Sequence, residues 1–184
     1  MSQVRLTIWL VLGLMLSEVL VADESEKRRV DISISIFPRI VAVDNHFREK
    51  LEVGNKVRLL FVYDEDRSLA ESLMARIGKD GKMIGGMKIV TQLASVRAPL
   101  PDNEVPVAIF LVERLDDAQL ARVITFAEKK HRLLFSPYSG DVERGVMVGI
   151  SVTNRVKPFF NLQALRRANV EINALLMKMS KRYE

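Results

Sequence analysis

Two nearly unbroken apolar runs, Val57–Tyr63 (VRLLFVY) and Val107–Val112 (VAIFLV), set the tightest limit on what this chain can become. A strand with one wet face alternates apolar and polar residues. These runs do not alternate, and they read as strands buried within a sheet. Each is followed by a helical pattern. Asp66 is placed to cap a helix over Arg67–Ile77, whose Leu69, Leu73 and Ile77 share a face. Asp116 or Asp117 caps a second over Ala118–Lys130, with Leu120, Val123, Ile124 and Ala127 inward.

Shorter segments fill the frame. Met87–Val90 and Leu133–Phe135 read as strands, and Val146–Thr153 with Val156–Phe160 as a hairpin turning at Asn154-Arg155. The alternation Val30–Ile36 (VDISISI) predicts a half-buried strand, ended by Pro38. Asp44–Glu52 reads as a short helical piece, and Val96–Pro106, with three prolines, as a loop. Asn161 then caps an amphipathic helix expected to run from Leu162 to about Ser180. Strands alternating with helices predict the α/β class. The expectation is a single domain over residues 30–182, a mixed sheet flanked by helices, with a closing C-terminal helix after a β-hairpin. Neither a repeat nor a linker divides it.

Composition removes much chemistry. The 184 residues include no Cys, so disulfides, thiolate zinc sites, iron–sulfur clusters and cysteine nucleophiles are excluded. The two histidines, His46 and His131, lie far apart and make no zinc site by themselves. The net charge of +5 is mild and spread along the chain, without the basic stripe and interleaved aromatics of a nucleic-acid binder. No nucleic-acid partner and no cofactor is expected.

Residues 1–22 differ from the rest. Arg5 begins a segment whose apolar core is Leu6–Leu16, and Ala22 precedes the acidic start Asp23-Glu24. Those are the parts of a secretory signal peptide, with cleavage expected after Ala22. The run is shorter than the ~20 residues a bilayer span needs. Glu18 and Leu20 fit a cleaved signal poorly, which leaves a retained N-terminal anchor or a buried helix as the other reading. Export predicts a periplasmic protein that meets the membrane only through an uncleaved signal. It also argues against ATP-dependent chemistry.

No catalytic motif stands out. Asp64-Glu65-Asp66 ends a strand where open α/β sheets place their sites, and such a trio could hold Mg²⁺. The simpler reading is one helix cap and two solvated carboxylates, because no phosphoacceptor Asp and Lys follow on later strands. Gly78–Gly86 (GKDGKMIGG) lacks the register of a phosphate loop and reads as turns. A Gly-x-Ser-x-Gly elbow is absent. The expectation is a protein that is not an enzyme, with no catalytic residue and no metal site.

The candidate binding surface is basic: Arg155, Lys157, Arg166 and Arg167. The last two fall in the first turns of the expected closing helix, where cations oppose the macrodipole. They therefore either pair with carboxylates or bind an acidic partner or anionic ligand.

The residues Lys157-Pro158-Phe159-Phe160-Asn161-Leu162-Gln163-Ala164-Leu165-Arg166-Arg167-Ala168-Asn169-Val170, followed by Ile172-Asn173-Ala174-Leu175-Leu176, resemble the YfiR-like family of exported bacterial regulators. There a closing strand runs into Asn-Leu, a spacer, an Arg with a small residue, and a Leu-rich amphipathic helix. The order of elements upstream is similar as well. The resemblance implies a non-enzymatic periplasmic repressor acting by contact with a membrane-bound signalling protein, an inner-membrane diguanylate cyclase, in cyclic-di-GMP signalling. Two features depart from the family. The cysteines of some members are missing here, so redox sensing does not carry over, and Ile36–Val41 does not match the aromatic helix usual in the N-terminal part. A homodimer is left open. The alternative function is a periplasmic small-ligand protein holding an anion at a helix N-terminus.

Overall fold

The computed structural model describes residues 24–51, 54–78 and 83–184. The expected signal peptide lies outside them. Helix α1 covers 24–41, and a 3-10 turn follows at Phe47–Lys50. Then come β1 (Val57–Tyr63), α2 (Arg67–Gly78), β2 (Met83–Ile84), β3 (Met87–Ser95) and β4 (Ala108–Leu111). They are followed by α3 (Asp117–Lys129), β5 (Leu133–Phe135), β6 (Val148–Val152), β7 (Val156–Asn161), α4 (Leu162–Ala168), α5 (Ala174–Met179) and β8 (Lys181–Tyr183).

The strands form one sheet in the order β2-β3-β1-β4-β5-β6-β7-β8. From β3 through β6 the pairs are parallel, β2 and β7 join antiparallel, and β8 lies parallel to β7. The class is α/β with a mixed sheet, as the alternating pattern predicts. Chain order reverses at β1: β3 lies on one side of it and β4 on the other. That reversal opens a crevice at the carboxyl ends of β1 and β4.

Every residue of β4 and β5 is buried, so helices cover both faces of the sheet there. On one face Phe37 of α1 meets Phe110 edge-on and lies 5.5 Å from Phe135, which stacks on Phe110. On the α3 side, Leu120, Val123 and Ala127 are buried, and α4 packs against α3.

The N-terminal region corrects the reading of Val30–Ile36 as a strand. These residues are helical, and the helix passes Pro38 to reach Val41. The alternation is ambiguous because it holds two i,i+4 ladders, Val30/Ile34 and Ile32/Ile36. Extended to Phe37, Ile40 and Val41, the first becomes the buried arc of a helix. A seven-residue window is too short to separate the two periods.

The closing helix is corrected too. It is two short helices, α4 and α5, because Asn169 turns left-handed (φ 51°) at the C-cap of α4. Asn is among the few side chains that adopt this conformation readily. The chain between them forms a bridge from Ile172 to Asp44, and β8 adds a parallel strand beside β7.

Candidate functional site

In an open α/β sheet the crevice at the strand reversal is the usual ligand position. Here the chain fills it with its own side chains. Glu113, just past β4, accepts from three successive amide groups after β1: those of Asp64 at 2.7 Å, Glu65 at 3.0 Å and Asp66 at 3.0 Å. Such a run of N–H groups at a helix start is a concavity suited to an anion. Its occupant is an internal carboxylate.

The acidic trio is equally committed. Asp66 caps α2 by accepting from the Leu69 amide at 2.7 Å. Arg97 donates to both Asp64 and Glu65, and the bond holds the Asp64 carboxyl below the usual carboxylate range. No group of three or more potential metal ligands occurs among the described residues. The N-terminus of α3 is closed in the same manner: Asp116 accepts from the Gln119 amide, and the Gln119 side chain accepts from the Asp116 amide.

The four basic residues do not form one cluster. Arg155 sits in the turn between β6 and β7, and Lys157 is on β7 opposite Ser151. Arg166 and Arg167 lie beyond the far end of β7. Four residues of strand, about 13 Å at ~3.3 Å each, separate Lys157 from Asn161 before α4 even begins. Because α4 has only seven residues, Arg166 and Arg167 are in its last turn, where the macrodipole favours cations. The expectation of a cost at a helix start is therefore reversed. Arg167 also pairs with Glu128 of α3 at 2.7 Å, so its role is to fasten two helices.

Of the other three, Arg166 is exposed on α4, and Arg155 and Lys157 are at the hairpin end. Arg155 and Lys157 are exposed and make no carboxylate contact among the described residues. They flank Val152 and Val156, which pair directly and are 43% and 42% exposed. Cations and uncovered valines thus meet at one tip.

Sequence reasoning missed Glu113 and Arg97. Both contacts span more than thirty residues, and the only signal for Glu113 is its place directly after a buried strand.

The structure is thus an α/β domain whose crevice at the strand reversal is filled by its own side chains. The profile of the YfiR/HmsC-like family matches residues 47–181, and the chain belongs to that family. The family is regulatory rather than catalytic. No curated protein matches the chain. Among solved structures, it is similar to a conserved domain protein from Vibrio cholerae O1 biovar El Tor, at 16% identity and TM-score 0.47. That match covers 74% of this chain and 57% of the other. It is also similar to an ABC domain in complex with L-Trp from Streptococcus pneumoniae, at 12% identity and TM-score 0.45, covering 78% and 60%. The chain therefore spans less than two thirds of either structure. No helix among the described residues is long and apolar enough to cross a membrane.

Proposed function

We propose that this protein is a periplasmic regulator in cyclic-di-GMP signalling that restrains a membrane-bound diguanylate cyclase by direct contact. Membership of the YfiR/HmsC-like family over residues 47–181 is the observation that carries this reading. The signal-like character of residues 1–22 supports export.

The contact surface we assign is the β6–β7 tip. Arg155 and Lys157 supply charge without a carboxylate partner among the described residues, and Val152 with Val156 supplies apolar area. Cationic rims steer encounter, and the apolar centre slows release. Arg166 is exposed on α4 and lies outside this surface.

The experiment measures cyclic-di-GMP synthesis by membranes that contain the cyclase, with and without the purified protein. The wild type is expected to suppress synthesis, and a variant carrying Arg155→Glu and Lys157→Glu to lose suppression while melting normally. If the wild type leaves synthesis unchanged, the regulatory reading fails. If the double variant suppresses as well as the wild type, the surface lies elsewhere. The anion-binding alternative loses its support at α2 and α3, whose N-termini are occupied by Glu113 and by Asp116 with Gln119.

A further inference from the structure

A groove of about 310 Å³ lies between α1, β7 and α5. Helix α1 contributes Ile32, Ile36 and Ile40 to its wall, the turn just after it contributes Val43, β7 contributes Val156 and Pro158, and α5 contributes Leu176. On α1 these side chains flank the buried arc of Val30, Ile34, Phe37 and Val41, which faces the sheet. The helix thus has an apolar surface wider than its core contact requires, and the excess borders the groove.

One charged residue lines this groove, Arg39, and it is exposed. No carboxylate contacts it among the described residues, whereas Arg76 pairs with Asp31, Arg97 with Asp64, Arg114 with Glu26, Arg144 with Asp117 and Arg167 with Glu128. The lining holds no acidic residue and no hydroxyl group.

We infer that this groove is a binding site for a free aliphatic carboxylate, with the hydrocarbon chain along Ile32, Ile36, Val156 and Leu176 and the carboxylate against Arg39. The volume lies at the small end of ligand sites, roughly 300–1,000 Å³, and branched aliphatic walls without hydrogen-bonding groups favour an unfunctionalised chain over a sugar or nucleotide. A guanidinium at the edge matches a carboxylate in geometry and charge. The inference goes beyond the regulatory reading and does not depend on it, because binding is measured on the protein alone.

Thermal shift and calorimetric titration of the full chain with decanoate and with decanol provide the test. A saturable rise in melting temperature with decanoate is expected, with decanol roughly five- to tenfold weaker because it lacks the charge. Arg39→Gln should bring decanoate to the level of decanol. Val156→Trp, at a half-exposed strand position compatible with folding, should abolish both signals by filling the groove. Absence of saturable decanoate binding overturns the proposal. So does equal binding of acid and alcohol that Arg39→Gln leaves unchanged, and so does decanoate binding that survives Val156→Trp. Sedimentation with anionic phospholipid vesicles, lost in Arg39→Gln, without binding of soluble decanoate would assign the face to a lipid surface and overturn it as well. Each of these results leaves the cyclase measurement with Arg155→Glu and Lys157→Glu unaffected.

Discussion

Glu113 reaches across the crevice from the end of β4 to accept the Asp64 amide at 2.7 Å, joining the two central strands at their carboxyl ends. The same oxygen serves the next two amides, so one side chain satisfies three donors that would otherwise face water or a ligand. A hydrogen bond to a charged group contributes about 1.5–3 kcal/mol.

Glu113→Ala should therefore lower unfolding stability by about 2–3 kcal/mol, whereas Glu113→Gln, which keeps an acceptor, should cost about half as much. Added inorganic phosphate should restore part of the melting temperature of Glu113→Ala and leave the wild type unchanged. Equal phosphate responses in the two proteins would show that the carboxylate does not hold the concavity shut.

Lys50 and Asp44 make a buried ion pair under the segment that leads into β1, with both side chains almost fully covered. Asp44 also accepts from the His46 amide and bridges Ile172, so it ties the N-terminal segment to the α4–α5 connection. Lys50→Met leaves an uncompensated carboxylate and should cost about 3–5 kcal/mol. The double change with Asp44→Asn should recover much of that loss. Denaturant melts of the single and double variants measure the difference.

Gly149 lies where β6 passes the loop after β5. A Cβ there would come 2.8 Å from Val142 Cγ2 and 3.1 Å from the Ser136 carbonyl oxygen. Gly149→Ala should destabilise by about 1–3 kcal/mol through overpacking. Adding Val142→Ala should relieve the closer of the two contacts. If the double variant is no more stable than Gly149→Ala, the Ser136 carbonyl is the limiting neighbour.

His46 is held by Glu49 and faces Glu171, and hydrogen bonding to Glu49 raises its pKa above the ordinary histidine value. A group raised in the folded state stabilises fully below its unfolded pKa, about 6.5. That contribution disappears as pH climbs through the higher folded value. The melting temperature of the wild type relative to His46→Gln should accordingly be greatest in mildly acidic buffer and converge in alkaline buffer. An NMR titration of the His46 ring checks the direction independently, and an unshifted or lowered value would contradict the contact.

Much of the sheet was legible because its central strands are buried on both faces and carry the signal in every residue. Val57–Tyr63 matched β1 end to end, and Val107–Val112 enclosed β4 with one residue to spare at each side. The capping residues Asp66 and Asn161, and Asp116 as one of two adjacent candidates, were legible for a local reason: the cap bond spans three residues. What escaped depends on tertiary context. The VDISISI segment satisfies both periods, and only the aromatic cluster around Phe37 decides for the helix. Asn169 interrupts a Leu/Ala spacing that continues on either side of it, and β8 is three exposed residues with no periodicity to read. The basic residues were visible one by one. Their separation by the length of β7, and the pairing of Arg167 with Glu128, were not.

Helix α1 precedes the stretch matched by the family profile, yet its Phe37 seals the aromatic centre of the fold. Its neighbour Ile36 walls the groove. The proposed groove and the aromatic core thus share adjacent positions on one helix, which precedes the matched residues. A lineage that retunes the groove by rotating or re-spacing α1 must rebuild the packing of Phe37 in the same step. Single side-chain exchanges at Ile32, Ile36 and Arg39 escape that coupling, and would reshape the groove while leaving the packing of Phe37 in place.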